Sequence, residues 1–329
     1  MFTPRIAPAL LFLCLLVAPL LASSSSWAED VFNVRFSWKL KGEYAPFYLA
    51  RDEGLFTKVG YNVHLGEGAG AEAALGALVQ GQEDVVVIPG IYALSAVSKG
   101  LPVKMIALYQ PKAPVAIISF PDKPITSPKE LEGHSLVGTV GDTTTDYLKV
   151  FCKINAIDCD KIKLVMLNNQ ARLPQFMSRQ VDALSTYWNI DVPQLEFSSK
   201  QKFVVLDVSK YGLIEPGLSI VTSDAAIQNN PERLKNFIHA LSQGFVDSKE
   251  SPKAAAEALS NAWQGAPDAE VVETQVKLSN DTFVSSAGEP LGWVDDGVVT
   301  AALALLKDSG QIETVKPHGS YYTNKLLSE

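Results

Sequence analysis

A two-lobed α/β fold, with a mostly parallel sheet flanked by helices in each lobe and two strands crossing between them, is predicted by three features of the sequence. Strand-like and helix-like stretches alternate from residue 31 onward. The alternation starts again near the middle of the chain. Proline- and glycine-rich passages bracket that second round, and long amphipathic helices follow it. Strands alternating with helices at this spacing argue for βαβ units and parallel sheets.

The elements can be taken in order. Residues 31–36 alternate as a strand does. Pro46 opens a helix towards Asp52, stopped by Gly54. Residues 61–65 form the next strand, the glycine-rich loop 66–70 follows, and 71–80 is a helix. Residues 85–88 are β-branched and wholly apolar, as in a strand buried on both faces. A short helix over 91–98 ends at Gly100. The second round runs from a strand over 135–140, through Gly141-Asp142-Thr143-Thr144-Thr145, into a helix reaching Phe151. A strand over 161–167 and a helix over 171–179 come next, and residues 180–184 lead into a third strand.

A weak internal repeat links the two rounds. Gln82-Glu83-Asp84 and Gln180-Val181-Asp182 sit at equivalent places, each after a helix and before a strand. Ala73 and Leu75 match Ala171 and Leu173 at the same offset. Prolines 111, 114, 121, 124 and 128 punctuate the entry to the second round; Tyr211-Gly212 and Glu215-Pro216-Gly217 mark the exit. Amphipathic helices over 231–245, 252–263 and 297–307 then dominate. The expected organisation is a discontinuous first lobe, 29–112 with 216–329, around a second lobe, 113–215.

Residues 1–28 read as a cleaved signal peptide. Arg5 precedes a nearly continuous apolar run from Ile6 to Ala22, and Ser26-Trp27-Ala28 offers small residues at both specificity positions. Pro8 and Pro19 interrupt the run, and it falls short of the ~20 apolar residues a bilayer core needs. Phe12 and Leu13 stand before Cys14, where a lipid-attachment site wants small side chains. The mature chain is therefore expected in the periplasm. The formal net charge of −8, one unit more negative without Arg5, disfavours nucleic acid and anionic membranes as partners. Cys152 and Cys159 remain after export. An even count in an oxidising compartment points to a disulfide, closed through a turn at Asn155-Ala156 and contributing ~2.5 kcal/mol by chain entropy. The alternative is a pair of buried thiols.

Several motifs suggest chemistry. Gly66-Glu67-Gly68-Ala69-Gly70-Ala71 fits a dinucleotide-binding pattern, but the next strand ends in Pro89-Gly90 where an acid should hold the ribose. Asp84 lies at the opposite end. The simpler reading is a loop that lets a backbone approach closely. No phosphate loop and no Gly-x-Ser-x-Gly elbow is present. His64, His134, His239 and His318 are isolated, so neither a metal nor a cofactor is expected. Thr143, Thr144 and Thr145 open a helix after a strand, where free N–H groups and the helix dipole favour an acceptor or an anion. Plain capping needs only one hydroxyl. Aromatic residues cluster at the carboxyl ends of predicted strands: Trp38 and Tyr44 after the first, Tyr92 after Pro89-Gly90, and Tyr187 and Trp188 ahead of Asn189 and Asp191. Open α/β sheets bind ligands at such ends. With Gly90 after the third strand and Glu215 at the exit from the second round, these residues form the candidate ligand site. Nothing among them makes a catalytic set.

Trp38, the segment Tyr44-Ala45-Pro46-Phe47-Tyr48-Leu49-Ala50-Arg51-Asp52-Glu53-Gly54-Leu55-Phe56 and the following Gly60-Tyr61-Asn62-Val63 resemble the opening of a known family. Leu78-Val79-Gln80-Gly81-Gln82-Glu83-Asp84 and Ser127-Pro128-Lys129-Glu130-Leu131-Glu132-Gly133 carry the likeness further. The family is that of periplasmic substrate-binding proteins of ABC importers, in the branch with thiamine-pyrimidine-precursor, aliphatic sulfonate, taurine and nitrate binders. The resemblance implies a monomer of the type II periplasmic-binding-protein fold. It would close on a small ligand and deliver it to a membrane permease served by a cytoplasmic ATPase. A planar or aromatic polar ligand suits the aromatics and amides here, with an organic anion as the alternative. A fungal relative makes the thiamine pyrimidine with a Cys-rich iron-binding motif. That motif is absent, which counts against an enzyme.

Overall fold

The chain crosses between two sheets twice, and each crossing delivers the antiparallel strand of the sheet it enters. The computed structural model describes residues 1–3, 30–139 and 142–328, so the predicted signal peptide lies almost wholly outside the described residues. The first sheet has the order β2-β1-β3-β10-β4 and the second β7-β6-β8-β5-β9. In the first, β1 (Asp30–Phe36), β2 (Tyr61–Gly66) and β3 (Val85–Pro89) pair in parallel. There β10 (Leu218–Ser223) runs antiparallel between β3 and β4 (Val103–Leu108). In the second, β6 (Ser135–Gly138), β7 (Lys163–Met166) and β8 (Ala183–Tyr187) are parallel. There β5 (Val115–Ser119) runs antiparallel between β8 and β9 (Val204–Asp207). The two sheets share one topology, in line with the repeat in the sequence.

The repeat has a structural cause. Asp84 Oδ2 accepts the Asn33 backbone N–H at 2.7 Å, and Asp182 Oδ2 accepts that of Ser135 at 2.8 Å. Each acid stands before its strand and ties down the neighbouring one. The second matched pair diverges. Leu75 is buried, whereas Leu173 is exposed.

Helices α1 (Ala45–Asp52) and α2 (Leu55–Lys58) connect β1 to β2, α3 (Ala71–Val79) leads to β3, and α4 (Gly90–Ser98) leads to β4. Pro46 stands in the first turn of α1, and Gly54 ends the segment at φ 69°, a conformation glycine adopts without penalty. In the second lobe, α5 (Thr143–Asp146) and α6 (Leu148–Ile154) replace the single helix expected to Phe151. The break falls at Tyr147, whose ring is buried and whose hydroxyl donates to Gln311 Oε1 at 3.2 Å. Next come α7 (Asn169–Met177) and α8 (Asp191–Ser199). The former stops short of Arg179, which takes φ 59°. Cys152 and Cys159 form a disulfide across the predicted turn, where Ala156 takes φ 51°.

After β10 come α9 (Asp224–Asn229), α10 (Pro231–Glu250), α11 (Pro252–Ala262), α12 (Ala269–Asn280) and α13 (Asp296–Asp308). The face of α10 carrying Leu234, Phe237, Ile238, Leu241 and Phe245 is buried, at the 3–4-residue spacing of an amphipathic helix. Its Gly244 lies so close to α1 that a Cβ there would meet Ala50 Cβ at 2.6 Å. Aromatic stacking consolidates this lobe, with Phe32 on Phe237 at 4.2 Å and Tyr109 on Phe245 at 3.8 Å. At the sheet edge, Met105 of β4 bridges to Tyr322 near the end of the chain.

Candidate functional site

The carboxyl ends of β1, β3, β6 and β8 converge on the two crossings. The crossings hold each other: Gly217 N donates to Gln110 O at 2.8 Å, Leu218 N to Gln110 Oε1 at 3.0 Å, and Ala113 N to Glu215 O at 2.8 Å. Gly90 belongs to this frame. Its N–H donates to Gly217 O at 2.7 Å, and a Cβ there would meet Pro216 Cβ at 2.9 Å. Close packing under the crossing accounts for the glycine without a ligand.

The predicted dinucleotide loop has the same kind of explanation. A Cβ on Gly68 would stand 1.9 Å from Phe36 O. Gly68 N and Gly70 N donate to Trp38 O and Ser37 O, at 3.2 and 2.7 Å, and Glu67 Oε1 accepts Leu40 N at 2.8 Å. The glycines let this loop brace the end of β1, which holds Trp38 out with 46% of its surface exposed.

Glu215 is the most unusual group at the junction. It is 2% exposed. Thr143 Oγ1 donates to its Oε1 at 2.8 Å, and its Oε2 has no partner. Burial pushes its pKa up to about 8; the Thr143 bond opposes the shift, and the Asp142 and Asp146 carboxylates add to it. Burial also raises the Tyr92 and Tyr187 hydroxyls, and in both the Glu215 charge is the next contributor.

The threonines divide their roles. Asp142, and none of the three, caps α5 by accepting Thr144 N at 3.0 Å. Thr145 Oγ1 is occupied by the carbonyls of Thr139 and Asp142, both at 3.0 Å. Thr144 is fully buried and its hydroxyl has no partner. The expectation of an acceptor or anion at this helix start meets a carboxylate already in that place.

At the end of β8, Asn189 Nδ2 donates to Ser279 Oγ of α12 at 2.9 Å, and Gln275 Nε2 donates to Ile190 O at 2.9 Å. These bonds tie the strand end to the C-terminal helices. Asp191 turns back on its own lobe, accepting Thr186 Oγ1 and Tyr187 N, with Arg172 Nη2 at 4.0 Å. Trp188 packs on the second-lobe cluster around Phe176 and Leu184. Tyr44 is buried and stacked on Phe36 at 4.1 Å. Both are more core than wall.

Sequence reasoning missed Lys41 and Glu43. Their side chains form an ion pair, and the Lys41 ammonium lies 5.2 Å from the Tyr44 ring and 5.4 Å from the Tyr187 ring. Burial works to lower the Lys41 pKa, but Glu43, Tyr44 and Asp191 together outweigh it and the net shift is upward. The gap bounded by Ser37, Lys41, Tyr44, Gln110 and Tyr187 measures about 10 Å³, roughly the room for one water. A larger hollow of about 370 Å³ lies among Lys249, Pro252, Lys277 and Asp281, away from the strand ends. Among the described residues, no group of three or more His, Cys, Asp or Glu could hold a metal ion.

Comparison with known proteins agrees with this architecture. The family model described as NMT1/THI5 like matches residues 41–255, more than half of the chain. The riboflavin-binding protein RibY of Chloroflexus aurantiacus is 21% identical over 295 residues, covering 87% of this chain and 82% of that protein. The periplasmic aliphatic sulphonate binding protein SsuA of Escherichia coli superposes with a TM-score of 0.68 at 15% identity, covering 87% of this chain and 94% of that one. The periplasmic nitrate-binding protein NrtA of Synechocystis PCC 6803 gives 0.66 at 12% identity, with 90% and 87% covered. The chain belongs to the NMT1/THI5-like family and has the two-lobed fold of the periplasmic binding proteins.

Proposed function

We propose that this chain is the solute-binding subunit of an ABC uptake system, closing on a small, planar or partly aromatic polar molecule and catalysing nothing. The lobes divide at the crossings, 29–112 with 216–329 against 113–215. The mature protein works as a monomer in the periplasm, handing its ligand to a permease driven by a cytoplasmic ATPase.

One observation carries this reading. A buried carboxyl group with an unpartnered oxygen stands where the crossings meet the strand ends of both sheets, within electrostatic reach of Tyr92 and Tyr187. Buried polar atoms are normally satisfied, and flat rings beside a few polar groups make a usual small-molecule wall. With only about 10 Å³ between Lys41, Tyr44 and Tyr187, entry of a ligand requires the lobes to part. Hinges of this type turn on a few residues at element ends, here Gln110 to Pro114 and Glu215 to Gly217.

Mass spectrometry of the solute that co-purifies, with a thermal-shift screen of pyrimidines, flavins, aromatic acids and sulfonates, tests the proposal. Ligand at a hundredfold excess over Kd should stabilise the protein by about 2.7 kcal/mol. A screen without a hit removes the solute-binding reading. Turnover of a bound compound would replace it with an enzyme.

A further inference from the structure

Buried atoms without a hydrogen-bond partner bear on the polarity of what the site holds. Among the described residues, six buried side-chain atoms have no hydrogen-bond partner, and four belong to Glu43, Thr144, Asn189 and Glu215. These four residues come from the loop after β1, the start of α5, the end of β8 and the second crossing. The atoms are Glu43 Oε2, Thr144 Oγ1, Asn189 Oδ1 and Glu215 Oε2. Apart from the threonine hydroxyl, all are carboxyl or amide carbonyl oxygens. Amide carbonyl and carboxylate oxygens accept hydrogen bonds, and Glu215 does so at both positions once ionised.

The charges point the same way. Among the described residues, Lys41 and Arg172 are the cations that ion-pair with the carboxyl groups of Glu43, Asp142 and Asp191. Lys41 is paired with Glu43. Arg172 Nη1 donates to Ser185 O at 2.7 Å and lies 3.7 Å from Asp142, while its Nη2 is 4.0 Å from Asp191. Against them stand the carboxyl groups of Glu43, Asp142, Asp191 and Glu215. The N–H of Thr144, which an anion at the α5 start would seek, already donates to Asp142. The cleft also accommodates one ammonium in this structure, that of Lys41 between the rings of Tyr44 and Tyr187. Aromatic faces attract such a charge.

We propose that the cleft selects a flat-ringed ligand bearing a cationic, hydrogen-bond-donating nitrogen group of the amidinium or ammonium class, with Glu215 as its counter-charge, and that it excludes anions. The proposal rests on the solute-binding reading and adds the sign of the ligand to it. Glu215 ionises when the cation arrives, and the proton it carried leaves to solvent. Asn189 Oδ1 and Thr144 Oγ1 take further N–H groups.

Benzamidine, benzamide and benzenesulfonate present one ring with a cationic, a neutral and an anionic head. Titration of each into the purified chain by calorimetry, with thermal shift as a second readout, tests the proposal. Benzamidine should bind about tenfold more tightly than benzamide, as charge-assisted hydrogen bonds exceed neutral ones, and benzenesulfonate should bind least. Glu215→Gln should remove most of the benzamidine advantage over benzamide. Benzenesulfonate binding as well as benzamidine, or an anion as the co-purified solute, overturns the cation preference and leaves the solute-binding reading intact. Silence from all three, with nothing co-purifying, overturns both. The wild-type comparison decides the matter even where the glutamine variant fails to fold.

Discussion

Thr143 and Glu215 meet between the start of α5 and the second crossing, the threonine hydroxyl donating to Glu215 Oε1 at 2.8 Å. The bond joins a strand-end loop of the second sheet to the segment that returns the chain to the first. It is also one of few favourable interactions for the Glu215 charge, since burial and the Asp142 and Asp146 carboxylates oppose ionisation.

Stability should therefore fall with rising pH through this one group. Its pKa is raised from 4.5 to about 8 in the folded protein. An acid shifted upward binds more protons folded than unfolded, so its contribution is full below about 4.5, erodes as pH climbs, and is lost above about 8. Burial raises the Asp142 pKa too, which adds a background of the same sign. Urea melts from about pH 5 to about pH 9 should show the wild type losing stability relative to Glu215→Gln. Parallel curves would mean that Glu215 titrates normally.

Thr143→Val keeps the shape of the side chain and removes the donor. Both carboxyl oxygens of Glu215 would then be buried without a partner, at a cost of about 1–3 kcal/mol. The bond holds the Glu215 pKa down, so the pH-dependent loss of stability should also move to higher pH in this variant. A destabilised variant with an unmoved pH profile would reduce the bond to ordinary packing.

The fold was legible because its signals are local. Val85 to Ile88 is a β-branched apolar run, and it forms a fully buried strand. Asp84 and Asp182 sit at matched places because each ties down an adjacent strand. For the candidate site, the sequence showed strand-end positions, as at Trp38 and Tyr187, and little else. Lys41 and Glu43 carry no such signal, since the approach of Lys41 to the Tyr187 ring depends on a lobe encoded far along the chain. Helix α12 was missed for a related reason. Gln275, Ser279 and Asn280 share its buried face with Val271, Val272 and Val276, so the apolar period is broken by the polar residues that reach Ile190 and Asn189. The Thr143 to Thr145 run marked the start of α5, but its neighbour Asp142 does the capping.

Two glycine substitutions should have opposite effects. In Gly68→Ala the new methyl group would stand 1.9 Å from Phe36 O, a backbone atom that cannot swing aside. Rebuilding the loop should cost about 1–3 kcal/mol, the range for overpacking, and disturb the seating of Trp38. Gly76 lies inside α3 with open space around its Cβ position. There Gly76→Ala should stabilise by about 0.8–1 kcal/mol through helix propensity. Denaturant melts of both variants check the contrast; equal effects would show that contact with β1 does not set the loop.

The sharpest test of the site falls on Trp38. It follows β1, with 46% of its surface exposed. The backbone that presents it is fixed by Gly68 N and Gly70 N, which donate to Trp38 O and Ser37 O. A side chain so held and so open contributes little to the core. Trp38→Ala should therefore leave the stability nearly unchanged while weakening ligand binding by about 1–3 kcal/mol, the range for losing an aromatic stacking partner. A tryptophan serving the core would behave in the opposite way, with about 3–5 kcal/mol of stability lost on truncation. Urea melts and calorimetric titration of the same variant separate the two. Unchanged affinity in a folded Trp38→Ala protein would remove this residue from the binding surface and leave Tyr92 and Tyr187 as its aromatic walls.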